Sequence, residues 1–231
     1  MIVSHTHRYI FIKSLKTAGT SVEAALSAHC QGADIVTELG DYRFNRDEAG
    51  NWVHHAMNST GFEQHDDART IKGKLPAEVW EGYLKFSIAR NPWDRTVSLF
   101  FWEKKRKPDS TANKGWLARL GLGRSEQDRL KEEFRRFVFS DTWENNDRFY
   151  ALDGRLCVER VLRYERLEED LQQLCSDLGL PPLQLPRLKA GIRKQGLHYS
   201  ALYDADTIDA VAERHQFDIR QFGYTFEHAA S

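Results

Sequence analysis

The sequence has no long apolar run and no excess of charge of one sign. No stretch approaches the roughly 18 apolar residues of a membrane-spanning helix, and the polar, histidine-bearing segment 1–8 lacks the apolar core of a signal peptide. Lysine and arginine number 33, against 34 aspartate and glutamate residues. The chain therefore lacks the basic field that nucleic-acid-binding proteins carry. We expect a cytoplasmic protein with no membrane span and no nucleic-acid partner.

Cysteine is also scarce. Cys30, Cys157 and Cys175 are the three cysteines, and no two of them form a Cys-x-x-Cys pair. An odd count without that pair predicts free thiols in a reducing compartment, neither a disulfide framework nor a zinc site. Four histidines stand in close pairs, but no carboxylate or cysteine accompanies them at ligand spacing, so we expect no metal. These are His5 with His7 and His54 with His55.

What the sequence does contain is typical of one packed domain. Its 231 residues, 41% hydrophobic with six tryptophans, suit a single domain over 1–231. Apolar runs rich in aromatic and β-branched residues predict strands, and segments with apolar residues at helical spacing follow them. This alternation predicts an α/β fold with a central, mainly parallel sheet flanked by helices. The predicted strands lie at 9–12, 84–90 and 157–164, and helices are expected after residues 21, 91, 166 and 205.

A loop of small residues joins the first predicted strand to its helix. A loop of this kind lets backbone N–H groups point at an anion, and the helix N-terminus adds positive charge. Its one lysine stands before the glycine, so the Gly-x-x-x-x-Gly-Lys-[Ser/Thr] loop of nucleotide triphosphatases is absent, as is Gly-x-Gly-x-x-Gly. The alternative is an ordinary strand–turn–helix with a Ser or Thr cap. The loop reads Lys16, Thr17, Ala18, Gly19, Thr20 and Ser21.

A second candidate anion site follows the next predicted strand. Arg90 ends that strand, and Asn91-Pro92 is a strong helix start. Ser98 lies eight positions after Arg90, about two turns into the helix. A guanidinium and a hydroxyl in this arrangement can hold one phosphate. Arg95 is more typical of a surface charge.

These two motifs resemble those of the PAPS-dependent sulfotransferases, particularly the carbohydrate-type branch and its bacterial relatives. Arg163–Leu167 with Asp170, and the tail residues 218–219 and 222–224, also fit. The resemblance implies a P-loop-NTPase-like sulfotransferase fold, 3′-phosphoadenylyl sulfate (PAPS) as sulfuryl donor and PAP as product, with no metal. It implies that Lys16, Thr17, Ala18, Gly19, Thr20 and Ser21 bind the 5′-phosphosulfate, and that Arg90 and Ser98 bind the 3′-phosphate. Arg193–Gly196 is a loose match to a further basic segment of the family.

Sulfuryl transfer depends on positioning and on charge stabilisation, as phosphoryl transfer does. Lys16 is the expected stabiliser of the leaving phosphate. An acceptor hydroxyl also needs a base, and His65, between the two motifs, is our candidate. We expect its acidic neighbours Asp66 and Asp67 to raise its pKa. The alternatives for the base are His54, His55 or a carboxylate such as Glu63.

The acceptor is less well specified, and hydroxyl and amine groups both remain open. A carbohydrate or small molecule is expected, and the basic run Lys104–Lys107 with Trp102 and Trp116 could face it. A solvated helix end and core tryptophans are the alternatives for those residues. Two other functions stay open: a nucleotide kinase or NTPase of related fold, and a nucleotide-binding relative without activity. Neither oligomeric state nor adenine contacts can be assigned.

Overall fold

This computed structural model describes residues 1–39, 54, 56–106, 126–185 and 198–229. The chain divides into two compact units, Met1–Arg90 with Asn146–Leu188 and Asn91–Asn145 with Lys189–Ser231. The single domain expected from the sequence stays a prediction, and each unit is described by itself.

The first unit is built on a sheet whose order is β3-β1-β2-β4-β7 within the described residues. β2, β4 and β7 are paired in parallel, whereas β1 runs antiparallel to both of its neighbours, β2 and β3. Four of these five strands therefore point the same way, which confirms the predicted α/β fold with a mainly parallel sheet. The strands are β1 Ile2–Ser4, β2 Tyr9–Phe11, β3 Ile35–Val36, β4 Leu84–Ala89 and β7 Arg160–Arg163, and a separate hairpin holds β5 Ala151–Leu152 and β6 Arg155–Leu156.

The helices follow the predicted order. In the first unit they are α1 Gly19–Ser27, α2 Ala68–Lys74, α3 Ala77–Gly82 and α6 Leu167–Leu178. In the second unit they are α4 Pro92–Arg106, α5 Glu126–Val138, α7 Ala205–Arg214 and α8 Gln216–Phe222. Short 3₁₀ turns cover Asp147–Phe149, Tyr164–Arg166 and Tyr199–Leu202.

The core of the first unit lies between the sheet and the helices α1 and α6. The rings of Phe11 on β2 and Phe86 on β4 stack at 5.0 Å. Val22 of α1 and Leu171 of α6 belong to the same buried cluster. Burying such side chains stabilises a fold by about 1.5–3 kcal/mol each, so this packing holds β2 and β4 against α1 and α6.

The sequence did not predict the short strands β1, β3, β5 and β6, and β1 was missed because its segment reads as polar. Met1, Ile2 and Val3 are fully buried, and Ile2–Ser4 forms β1 beside β2. A three-residue strand is too short to show a period, and the histidines that follow hide it. Asp34 holds this corner by accepting hydrogen bonds from Ser4 Oγ and the Thr6 amide.

The second unit packs α4 against α7, α5 and the turn Tyr199–Leu202. Asn91 caps α4 as predicted, since its Oδ1 accepts a hydrogen bond from the Trp93 amide at 3.1 Å. Phe134 meets Phe100 and Tyr203 edge-on in the centre of the unit. Aromatic packing of this kind stabilises the described part of the unit.

Candidate functional site

The loop after β2 bends sharply and is tied to β4. Lys16 and Ala18 have left-handed backbone, with φ of 63° and 64°. The Ser14 hydroxyl donates to the carbonyl of Ile88 on β4 at 2.6 Å, so the Thr17 hydroxyl, 2.8 Å away, donates to Ser14 Oγ. Left-handed non-glycine residues cost about 1–3 kcal/mol each and concentrate at functional sites. In this conformation the Thr17 hydroxyl is occupied by Ser14, so an anion would be bound by the backbone N–H of Thr17.

Gly19 begins α1 in a place where no side chain fits. A Cβ there would lie 2.8 Å from Lys13 Cγ, because the stem of Lys13 packs against the first turn of the helix. Ala18, the residue before the helix, makes no side-chain cap. The Ser or Thr cap considered from the sequence is therefore absent at this position, and the positive end of a nine-residue helix follows Ala18 directly.

Lys13 forms a buried ion pair under this loop. Its Nζ lies 2.7 Å from Glu23 Oε2 on α1 and donates to Gln64 Oε1 at 3.1 Å. Both side chains of the pair are at most 1% exposed. Burial alone would raise the pKa of Glu23, but the Met1 amine and Lys13 outweigh it and lower that pKa. Lys13 thus joins the loop, α1 and the segment that carries His65.

Arg90 follows β4 and meets the loop. β2 and β4 are parallel neighbours, so the segments after their carboxyl ends share one edge of the sheet. Arg90 Nη1 donates to the carbonyl of Lys16 at 2.8 Å, and its guanidinium lies 4.0 Å from the centre of the Tyr164 ring. The two motifs that the sequence analysis singled out are therefore in direct contact through Lys16 and Arg90. Ser98 is half-buried on α4 in the second unit, and its pairing with Arg90 stays a prediction.

His65 is held by the residue at the start of the loop. Its Nδ1 lies 3.0 Å from the carbonyl of Lys13, which can only accept, so Nδ1 carries the hydrogen and Nε2 is the basic nitrogen. Burial, followed by the charge of Lys13, lowers the pKa of His65 to about 4. Phe149 packs edge-on against the ring with 6.3 Å between centroids.

The expectation that Asp66 and Asp67 raise the pKa of His65 is wrong. Asp66 pairs with Lys74 at 2.6 Å, and Asp67 caps α2 by accepting from the Thr70 amide at 2.8 Å. Each carboxylate is bonded to another group, and burial determines the direction in which the pKa of His65 shifts. Among the alternatives for the base, burial also lowers the pKa of His54, Glu63 is exposed, and His55 lies outside the described residues.

Asn146 is a site residue that the sequence did not indicate. Its side chain donates to the Leu15 carbonyl at 2.8 Å and accepts from the Leu15 amide at 3.3 Å. Asn146 stands 131 positions from Leu15, and no motif surrounds it. Lys13 and Glu23 were also missed, although a lysine next to an apolar strand and a glutamate within the apolar face of α1 hint at a buried pair.

Arg95 is buried, not a surface charge. It is 1% exposed, donates to the Glu144 carbonyl at 3.0 Å and lies 3.2 Å from His215 Nε2. Tertiary packing of α4 against α7, whose C-cap is His215, places it inside the second unit. Burial lowers the pKa of His215 to about 4 despite the neighbouring Asp218.

The candidate acceptor residues are only partly described. Lys104 pairs with Glu133, and the Arg106 guanidinium lies 4.5 Å from the Trp102 ring centre. Lys107, Trp116 and the Arg193–Gly196 segment lie outside the described residues.

All three cysteines are free, as the sequence predicted. Within the described ranges, no group of three or more His, Cys, Asp or Glu side chains is arranged to hold a metal ion. In that same part of the chain no helix combines the length and the apolar character needed to cross a membrane.

This chain was compared with known proteins and with a family model. An uncharacterized protein of Archaeoglobus fulgidus is 24% identical over 116 residues, which is 48% of this chain and 80% of that protein. The crystal structure of a sulfotransferase from Alicyclobacillus acidocaldarius aligns over 95% of this chain and 96% of that one, at 14% identity and a TM-score of 0.34. The family model described as "Sulfotransferase family" matches residues 1–225, nearly the whole sequence. The chain therefore belongs to the sulfotransferase family.

Proposed function

We propose that this chain transfers a sulfuryl group from PAPS to a hydroxyl or amine acceptor, without a metal. Family membership supports a transferase of this class. The observation that carries the proposal is the convergence of three candidate residues on one loop. Arg90 donates to the Lys16 carbonyl, and His65 is tied to the Lys13 carbonyl. A charge stabiliser, an anion ligand and a base thus meet around one short segment.

The residues of this loop fit the proposed donor. A phosphosulfate carries negative charge, and the ammonium of Lys16, the guanidinium of Arg90 and the positive end of α1 are the groups that favour it. Left-handed backbone at Lys16 and Ala18 is typical of the concave backbone that binds anions. The Thr17 hydroxyl is the exception, because it bonds to Ser14 inside the loop.

When bound, PAPS would supply the activated sulfuryl group. Lys16 would stabilise the negative charge that develops on the leaving phosphate as the bond to sulfur breaks. Arg90, with Ser98, would hold the 3′-phosphate and so fix the direction of in-line transfer. His65 would take the acceptor proton at Nε2, because its Nδ1 hydrogen is committed to Lys13.

The low pKa of His65 has a mechanistic consequence. A pKa of about 4 keeps the imidazole neutral at pH 7 and ready to accept a proton. It also makes the ring a weak base when the site holds only Lys13 and other positive groups nearby. Negative charge brought by the donor favours the imidazolium form, so we expect the pKa to rise in the complex.

The proposed acceptor is a carbohydrate or a small molecule, following the resemblance to the carbohydrate-type branch. A test is transfer from radiolabelled PAPS to a panel of saccharides and of small hydroxyl and amine compounds, in EDTA. We expect label in an acceptor with wild type and far less with Lys16→Ala. Labelled product that requires added Mg²⁺ would contradict the metal-free mechanism, and phosphoryl transfer from ATP without any from PAPS would favour the kinase alternative.

A further inference from the structure

Asn146 holds the main chain just before Lys16 from both sides. Its Nδ2 donates to the Leu15 carbonyl at 2.8 Å, and its Oδ1 accepts from the Leu15 amide at 3.3 Å. The residue is 1% exposed. The buried side-chain amide of Asn146 pairs with both the N–H and the C=O of Leu15, as a neighbouring residue does in an antiparallel sheet. Losing this side chain would leave both backbone groups unpaired.

Arg90 completes the restraint from the other direction. The Leu15 carbonyl belongs to the peptide unit that precedes Lys16, and the Lys16 carbonyl belongs to the unit that follows it. Asn146 fixes the first, and Arg90 fixes the second at 2.8 Å. Two fixed peptide units define φ and ψ of the residue between them, and therefore the direction in which its Cβ leaves the backbone.

Lys16 needs such a restraint. Its φ of 63° lies in the left-handed region, which is unfavourable for an L-residue. Without the contacts from Asn146 and Arg90, φ of Lys16 would relax to a negative value, and its side chain would point in another direction.

Asn146 also starts the turn that contacts His65. The Phe149 amide donates to the Asn146 carbonyl at 2.9 Å, which closes the 3₁₀ turn Asp147–Phe149. Phe149 is fully buried and packs edge-on against the His65 ring. One turn therefore touches the backbone next to the candidate lysine and the ring of the candidate base.

We infer that Asn146 is a positioning residue that aims the Lys16 side chain by clamping the Leu15 peptide. The inference rests on the proposed function for the role of Lys16 in sulfuryl transfer. Asn146 itself need not touch the donor, because its polar atoms are engaged with Leu15.

The test compares Asn146→Ala and Asn146→Asp with Asn145→Ala. Asn145 is the neighbouring asparagine, and it donates to the Arg214 carbonyl instead. We expect both Asn146 variants to lose about tenfold or more in kcat, since a small misplacement of a catalytic group costs up to about 10²-fold. KM for PAPS should change much less, and Asn145→Ala should stay near wild type. The Asp variant keeps the side-chain volume if the Ala variant does not fold.

A double variant separates positioning from a general structural role. If Asn146 acts through Lys16, Asn146→Ala should reduce kcat little further in a Lys16→Ala background. An undiminished loss in that background would overturn the inference, as would folded Asn146 variants with wild-type kcat.

Amide hydrogen exchange provides a measurement that does not depend on activity. In the absence of any nucleotide, the Leu15 amide should exchange faster in Asn146→Ala, which loses the Oδ1 acceptor, than in wild type or Asn145→Ala. Equal exchange would overturn the clamp. If wild type transfers no sulfuryl group at all, the proposed function fails, and this exchange result alone decides the clamp.

Discussion

At the scale of single residues, the charge of Lys16 should matter more to the reaction than to binding. Its backbone is fixed on both sides, and the charge that it would stabilise appears as the leaving group departs. We predict that Lys16→Ala lowers kcat by a hundredfold or more, the usual effect of removing a well-placed donor. PAP binding, measured by calorimetry, should weaken much less.

The matched control is Lys131→Ala, which removes an exposed lysine on α5. It should leave both kcat and PAP affinity unchanged. Normal turnover in Lys16→Ala would show that another group stabilises the leaving phosphate.

His65 leads to a prediction about pH. Its pKa of about 4 in the unliganded protein means that the base form is present from near pH 5 upward. The rate constant kcat/KM reports the free enzyme and should fall only as the pH drops through about 4. The rate constant kcat reports the complex, and its acidic limb should lie at higher pH because the bound anion favours the imidazolium.

His65→Ala should remove most transfer and both acidic limbs while PAP affinity is kept. His228→Ala, which changes an exposed histidine near the C-terminus, serves as the control. If His65→Ala retains full activity and His54→Ala or His55→Ala does not, the base lies in that earlier pair.

At the scale of elements, the ion pair of Lys13 and Glu23 joins the end of β2 to α1. Removing one partner of a buried pair leaves an uncompensated charge, at a cost of about 3–5 kcal/mol. We predict that Lys13→Met and Glu23→Gln each lower the urea midpoint strongly. The double variant should lose less free energy of unfolding than the sum of the two single losses. Additive losses would mean that the pair contributes no coupling.

The elements around the loop were predictable because their signals are local. An apolar run before a small-residue loop indicates β2 and α1, and Asn91-Pro92 indicates the start of α4. The burial of Arg95 depends on tertiary packing, so the sequence suggested another role for it. The capping of α2 by Asp67 is a local contact with the Thr70 amide, and it was overlooked because no helix was expected there. Asn146 contacts Leu15 across 131 positions, and a lone asparagine with no pattern around it carries no signal of that contact.

At the scale of the whole molecule, each of the two units contains a histidine whose pKa is lowered: the half-buried His65 and the buried His215. Burial lowers the pKa of both His65 and His215 to about 4, whereas an unfolded histidine has a pKa of about 6.5. The unfolded chain therefore takes up these protons first as the pH falls. Their contribution to stability is complete above about pH 6.5 and is lost progressively between 6.5 and 4.

Below that range the carboxylates continue the loss of stability. The pKa of Glu23 and that of Asp34 are lowered in the folded chain, so their stabilisation disappears as they are protonated at lower pH. We predict that Tm falls from pH 7 to pH 4, and that His215→Gln flattens this dependence. A Tm that is constant over this interval would show that neither histidine is held neutral.

We propose above that the loop and Arg90 bind a nucleotide with a 3′-phosphate and a 5′ anion. Calorimetry in EDTA, with PAP, 5′-AMP and ATP as ligands, tests it without knowledge of the acceptor. We predict that PAP binds most tightly, that no metal is needed, and that Arg90→Ala removes the advantage of PAP over 5′-AMP. Equal affinity for PAP and 5′-AMP, or binding of ATP alone and only with Mg²⁺, would contradict it.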